Sequence, residues 1–242
     1  MPETLDQRLS RARQRSLLIC SPIARNPTWQ TMQSTLDTVL LLQEHGIRVA
    51  YELVIGSSVI EKARNELAAR FLATDFTDML FVDDDMQWDA RDVLRLLMSD
   101  KALIGGVGRM RCQKPNTDPA VWCWRPLSEN GALRADDFGA VEVRGFGAAF
   151  MLVNRGVLHG LASAHPEWAE DAPKDWPDAV RGNYFAFFRQ GADDGRPLSE
   201  DYVFCERWRA LGKSVWVMPD IRLGHVGAYT YAGSVSELLQ EG

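Results

Sequence analysis

The chain has 242 residues, 46% of them hydrophobic, with 33 acidic side chains against 27 Lys and Arg and a formal net charge of -6. That length and apolar content fit one large α/β domain or two small ones with an ample core, and the acidic balance excludes a general attraction to nucleic acid or anionic membrane while leaving room for a local basic groove. Cys20, Cys112, Cys123 and Cys205 show no C-x-x-C spacing, so neither a zinc site nor a disulfide framework is expected; no apolar run approaches the roughly 18 residues of a membrane span, and a cytoplasmic protein is expected.

Residues 1–15 are polar and Arg-rich and read as a frayed or loosely helical N-terminal extension. Ser16 to Ser21 reads as a buried strand running into the loop Pro22-Ile23-Ala24-Arg25-Asn26-Pro27, where two prolines block a regular ladder. A helix follows from about Thr28 to His45, stopped by Gly46, then a strand over Arg48 to Ile55. Ser58-x-x-Glu61 has the form of a capping box heading a helix that runs to about Ala73. Met79 to Val82 is a third strand, Asp89 is an N-cap for a helix ending near Met98, and Ala102 to Val107 is a fourth strand. Strands alternating with helices predict a mostly parallel sheet covered on both faces, and such sheets bind ligands at the carboxyl ends of their strands. Beyond Gly108 the pattern becomes α+β, with a long strand over Val141 to Val153 interrupted by Gly145 and Gly147, and a shaped surface loop over His165 to Gly182.

Four features point to chemistry. Asp83, Asp84 and Asp85 follow the apolar run Met79 to Val82; carboxylates this close raise one another's pKa unless a cation or a set of donors holds them. Their hard oxygens suit Mg²⁺ or Mn²⁺, the plain alternative being a solvated acidic turn. Arg64 falls inside the apolar stripe Ile60, Ala63, Leu67, Ala68 and Phe71, so its guanidinium must meet either a structural carboxylate or the phosphates and base of a nucleotide; Asn65 can add a second polar contact. Ser199 can cap a helix ending at Gly212, in which Asp201 lies three, four and seven residues before Phe204, Cys205 and Trp208. It is either a first-turn acid favoured by the helix dipole or a base for an attacking hydroxyl, a role that Glu200 can share or replace. His225 follows the strand Ser214 to Met218 and, with a carboxylate, suits Mn²⁺; its plain alternative is a hydrogen-bonded structural histidine. The tail Val226 to Ser234 has the composition of a mobile flap.

Phe81-Val82-Asp83-Asp84-Asp85-Met86, then Ser199 to Trp208, then Leu211 to Asp220, closing with His225, resemble in order and spacing the glycosyltransferases of the GT-A fold, nearest to the broad family 2 type. The resemblance covers about Ser16 to His225. It implies a nucleotide-sugar-binding half over 16–108 and an acceptor-binding and catalytic half over 109–242 within one compact domain. It implies a nucleotide contact for Ser21, Pro22 and Arg25 at the end of the first strand, for Arg64, and for Asp83 and Asp84. Asp83 and Asp85 match the ends of the Asp-x-Asp motif that holds Mn²⁺ or Mg²⁺, His225 matches a third metal ligand, and Glu200-Asp201 matches the pair whose aspartate is the catalytic base of inverting members. The third aspartate leaves the register open between Asp84 and Asp85.

The activity that follows is transfer of a sugar from a nucleoside diphosphate donor, UDP-sugar favoured, to a hydroxyl on a glycan, lipid-linked or small-molecule acceptor, or on a modified DNA base. Arg109, Arg111 and Lys114 lie at the acceptor-side edge and keep the DNA base open. A nucleotidyltransferase needs a Gly-rich basic loop after the first strand, and Ser21 to Pro27 has no glycine and one arginine. A non-catalytic nucleotide-sugar-binding module is the other alternative, and the filled metal, base and histidine positions argue against it.

Overall fold

The computed structural model describes residues 3–111, 121–129 and 132–239; Cys112, Lys114, Pro115 and Pro119 lie outside the described residues. The first part alternates: α1 (Leu5–Ala12), β1 (Ser16–Ile23), α2 (Trp29–Glu44), β2 (Arg48–Ile55), α3 (Ile60–Leu72), β3 (Asp78–Val82), β4 (Met86–Gln87), α4 (Ala90–Met98) and β5 (Leu103–Gly105). Short strands follow as β6 (Trp124–Pro126), β7 (Ser128–Glu129) and β8 (Ala132–Leu133), then β9 (Val141–Phe146), β10 (Phe150–Asn154), α5 (Arg155–Ala164), a 3-10 turn at Pro166–Trp168 and α6 (Asp178–Arg181). The chain closes with β11 (Gly191–Asp193), β12 (Arg196–Leu198), α7 (Glu200–Ala210), β13 (Val215–Val217), β14 (Leu223–Val226), β15 (Thr230–Gly233) and α8 (Ser236–Leu239).

Eight strands form one sheet in the order β2-β1-β3-β10-β5-β13-β9-β6. The pairs β1–β2, β1–β3 and β5–β13 are parallel, as expected, while β10 runs against both β3 and β5 and β9 runs against β13 and β6. The sheet is therefore mixed, and the expected halves share it, because β10 and β13 from the second half pair with β3 and β5 of the first. The anticipated strand Val141 to Val153 is two strands running in the same direction, with the chain stepping across the sheet at Gly147 to Ala149. All eight residues of β1 are buried, the pattern of a strand covered on both faces. Leu18, Cys20, Met79 and Phe81 pack toward α3, α5 and α7, and Leu17, Ile19, Leu80 and Val82 toward α1, α2 and α4. Period-2 alternation thus sorts each strand residue onto one of two cores.

One local expectation is refined and one corrected. Of the two readings of the N-terminal residues, frayed or loosely helical, the helical one holds over Leu5–Ala12, and the helix is docked: Thr4 and Gln7 form a capping box, and Arg11 donates to the Met98 carbonyl at 2.9 Å. Ser58 and Glu61 do not form theirs, since the N-cap of α3 is Val59 without a side-chain bond and Glu61 accepts instead from the Gln190 backbone N–H at 2.9 Å. Among the described residues no helix is long and apolar enough to cross a membrane.

α1 ends at an ion pair beneath the sheet. Arg15 donates through Nε to the fully buried Asp78 at 2.7 Å and through Nη1 to the Leu97 carbonyl at 2.7 Å, while Thr77 Oγ1 (2.7 Å) and Asn154 Nδ2 (3.0 Å) complete the carboxylate's partners. Removing one member of a buried pair leaves the other charge uncompensated. Arg15→Met is expected to lower stability by about 3 kcal/mol in a urea titration, the two neutral donors limiting the loss; an unchanged midpoint would show that Asp78 needs no cation.

Candidate functional site

The three aspartates leave β3 in three directions. Asp83 continues the side of Met79 and Phe81 and meets Arg64 of α3, with Oδ1 3.0 Å and Oδ2 3.3 Å from Nη2. Asp84 continues the other side: its Oδ2 accepts from the Ala24 N–H at 2.9 Å, and its carbonyl accepts from Thr28 N (2.8 Å) and Thr31 Oγ1 (3.0 Å), which ties the start of α2 to the triplet. Asp85, on the turn into β4, faces His225 of β14, which pairs with β4 at Met86. Asp85 joins the histidine, and Asp84 fixes the loop after β1. Burial pushes the Asp84 carboxyl above its ordinary range against the pull of the Ala24 N–H, and Asp85 and Asp83 add to the rise.

Arg64 is 97% buried, being only 3% exposed, and is flanked by two acids. Nη2 meets Asp83 and Nη1 meets Glu200, the first residue of α7. Burial opposes its charge, but Asp83, Glu200 and Asp201 outweigh burial and hold it firmly protonated. Burial pushes the Glu200 carboxyl up, Arg64 pulls it down and the Asp201 charge raises it again. The expectation of Arg64 as a nucleotide contact is corrected: its Nη groups are engaged by the site's own carboxylates, and it does not line the adjoining cavity. Asn65 is likewise structural, holding the Phe188 backbone through Nδ2 to O at 3.0 Å and Phe188 N to Oδ1 at 2.8 Å.

Glu200, not Asp201, is the buried acid of α7. Asp201 is half-buried. Its Oδ1 accepts from Ser199 Oγ and from Tyr202 N at 2.8 Å, and Oδ2 accepts from Ala148 N at 3.3 Å where the chain steps from β9 to β10. Ser199 thus orients Asp201 instead of capping the helix with its side chain. Gly147 keeps this place open, since a Cβ there would stand 3.2 Å from Cys123 Cβ and 3.5 Å from Asp201 Oδ2. Cys123, which no spacing in the sequence marks, lies close enough to Asp201 and Asp83 that, with burial as the main cause, their charges push its thiol up to about 11.

A cavity of about 370 Å³ opens at the carboxyl ends of β1 and β3, walled by Pro22, Ile23, Ala24, Ser57, Ser58, Ile60, Ala63, the three aspartates, Arg111 and His225. The volume is in the range of small-molecule sites. Pro22 lines it as expected. Ser21 does not: it is fully buried, because alternation along β1 turns it to the α2 side. Arg25 is exposed and also off the wall. Ser57 and Ser58, the loop after β2, are not singled out as ligand contacts by the sequence, since serines after a strand carry no distinctive spacing, and Arg111, expected at the acceptor-side edge, stands on this wall beside Asp85.

His225 is the most informative side chain here. Its Nδ1 lies 3.0 Å from the Arg109 carbonyl, which can only accept, so Nδ1 carries a proton. Nε2 then faces Asp85 Oδ2 at 3.3 Å with a lone pair whenever the ring is neutral, and a proton or a cation must lie between the two. A backbone carbonyl fixing the other ring nitrogen is the usual support of a metal-ligating histidine. Arg111 supplies some of the missing charge, with Nη1 3.1 Å from Asp85 Oδ2 and 3.3 Å from the Val226 carbonyl. Asp83 does not join this pair, and among the described residues no group of three or more His, Cys, Asp and Glu side chains is arranged to hold a metal ion. Asp85 and His225 are the residues that would hold a divalent ion here, as an oxygen and a nitrogen donor of the kind Mn²⁺ or Mg²⁺ would accept.

No protein-family model matches this chain, and no curated protein sequence is similar to it.

Burial alone would lower the His225 pKa, but the bonds to Asp85 and the Arg109 carbonyl raise it. A raised histidine pKa stabilises the fold fully below its unfolded value of about 6.5 and ceases to as pH climbs through the folded value. In the presence of a chelator, the stability advantage of wild type over His225→Gln is expected to be about 1 kcal/mol below pH 6 and to fade toward pH 8.5, read by thermal melts across the range. An advantage that grows with pH would reverse the assigned proton.

Proposed function

We propose that this protein is a divalent-cation-dependent glycosyltransferase of the GT-A type, moving a sugar from a nucleoside diphosphate sugar, UDP-sugar favoured, to an acceptor hydroxyl with inversion. The observation that carries the reading is the Asp85–His225 pair, an oxygen and a nitrogen donor set lone pair to lone pair on the wall of a cavity at the carboxyl edge of the sheet. A Mn²⁺ or Mg²⁺ ion bound there supplies Lewis-acid neutralisation of a departing diphosphate.

The other groups have defined work in this scheme. Pro22 and Ile60 offer an apolar slot for a nucleobase, and Ser57, Ser58 and the ordered loop around Ala24 offer donors for the ribose and phosphates. Asp84 holds that loop through the Ala24 N–H. Arg64 fixes Asp83 and Glu200 and keeps the start of α7 against β3. Asp201 is the general base. Its Oδ1 is tied by Ser199 and Tyr202, and its Oδ2, held by a single long bond from Ala148, is free to accept the proton of the acceptor hydroxyl. The acceptor oxygen then bonds to the anomeric carbon from the face opposite the diphosphate, which leaves with the bonding electron pair. The acceptor is a glycan, a lipid-linked saccharide, a small-molecule alcohol or a hydroxylated DNA base. The loop after β1 lacks the glycines of a triphosphate cradle, which disfavours nucleotidyl transfer.

Calorimetry with UDP, GDP, CDP and dTDP, with and without Mn²⁺, is expected to show cation-dependent binding that is strongest for UDP and is lost in Asp85→Asn. Binding of equal strength in chelator and in Asp85→Asn would remove the metal assignment. Asp201→Asn is expected to bind donor normally and to turn over 10² to 10⁴ times more slowly, on the order expected for loss of a general base, with wild-type product showing an inverted anomeric proton coupling by NMR. A retained linkage would rule out direct displacement.

A further inference from the structure

α2 is built inside out. Its buried side is made of Thr31, Ser34, Thr35 and Thr38, joined only by Leu42, and the hydroxyls are all satisfied: Thr31 by the Met86 carbonyl at 2.8 Å, Ser34 by the Trp88 carbonyl at 2.8 Å, Thr35 and Thr38 by carbonyls one turn back at 2.8 and 2.7 Å. Its outward side carries an apolar stripe flanked by the exposed Gln33 and Asp37, which are hydrogen-bonded to each other at 2.8 Å. Trp29 is 72%, Leu36 54% and Leu40 65% exposed, and the half-buried Met32 joins them in a stripe at 29, 32, 36 and 40, while Val39 packs on the core. That spacing puts the four side chains on one face of the helix, as in a helix that packs on another. Scattered exposed apolar side chains need no partner; a continuous stripe along a 16-residue helix does.

The charges name the partner. α2 has no acidic residue in its first turn and no basic residue in its last, where the exposed Glu44 stands instead. The N-terminal end lacks a complement to its helix dipole and the C-terminal end carries the wrong one. A second α2 laid antiparallel corrects both ends at once, bringing Glu44 of each copy to the N-terminus of the other. In the register centred on Leu36, Met32 meets Leu40 of the second copy and Trp29 covers the turn holding Gln43 and Glu44. The absence of Lys and Arg from α2 and the net charge of -6 disfavour an anionic lipid surface as the occupant. We propose that the outward face of α2 is a homodimer interface, two copies packing antiparallel about a two-fold axis near Leu36. A contact made by one helix through three exposed apolar side chains is modest beside the roughly 800 Å² per partner of a standard interface, so the dimer is weak and concentration-dependent.

Sedimentation velocity on the full chain over a wide concentration series is expected to show a monomer–dimer equilibrium, with Leu36→Glu raising the dissociation constant at least about tenfold and leaving far-UV circular dichroism unchanged. Glu44→Lys separates the proposal from mere stickiness. It is expected to raise the melting temperature of the dilute monomer slightly, by improving its own helix terminus, while weakening the dimer several-fold. Leu36→Cys is expected to form an intermolecular disulfide under mild oxidation. A wild type that stays monomeric, a dimer indifferent to Leu36→Glu, a Glu44→Lys dimer tighter than wild type, or a Leu36→Cys dimer that does not cross-link would each overturn it. A monomer that sediments with neutral phosphatidylcholine vesicles, and no longer does so as Leu36→Glu, would give the face to a lipid surface.

Discussion

Arg64 is a cation enclosed by the protein, and the positions of α3, β3 and α7 relative to one another follow from how its charge is met. Burying an unpaired guanidinium is prohibitive, so Asp83 and Glu200, 117 residues apart by their numbers, are held to opposite sides of one planar group. With Asp83 fixed, the chain direction at the end of β3 is fixed, and with it the divergence of Asp84 toward the loop after β1 and of Asp85 toward His225. With Glu200 fixed, the first turn of α7 presents Asp201 to the step between β9 and β10. Such pairs contribute geometry more reliably than net stability, and here the geometry fixes the end of β3 against the start of α7.

The sheet edge concentrates negative charge that this single cation does not neutralise. Asp84 is pushed toward its neutral form by burial and by its neighbours, and Asp85 has Arg111 as a partial counter-ion and faces a histidine from which a proton or a cation must separate it. The protein closes its backbone hydrogen bonds around this edge, through Thr28 to the Asp84 carbonyl and Val226 to the Asp85 carbonyl, each under 3 Å at 2.8 and 2.7 Å. An electrostatically demanding turn is therefore rigid.

Much of the fold was legible because its signals are local. The boundaries of β2, α2 and α4 follow from Gly46, Asp89 and the apolar periodicity, and the aspartate triplet stood out because repulsion among adjacent carboxylates is a property of sequence alone. What was not legible depends on pairing between distant strands. Alternation predicts that Asp83 and Asp84 face opposite sides, but not that α3 lies on one of them, so the choice between a ligand and a carboxylate for Arg64 could not be made. The same limit hid Ser21, whose side follows from parity along β1, and exchanged the burial of Glu200 and Asp201, neighbours on one helical turn. The helix over residues 5–12 is firmer than its polar sequence suggests because Arg11 and Arg15 reach the end of α4, tens of residues away.

The place of β10 in the sheet has a bearing on how the chain is made. β3 and β5 are separated by a gap that only residues 150–154 fill, and the sheet's second hydrophobic face is completed by α5 and α7 beyond it. During synthesis the first 108 residues emerge with two apolar strands whose facing edges have nothing to bond, the condition under which unpaired strands associate between molecules. Topologies that join distant segments also close slowly. A nascent chain that ends before Phe150 thus leaves the facing edges of β3 and β5 unpaired, whereas one that extends past Asn154 carries the strand that fills them.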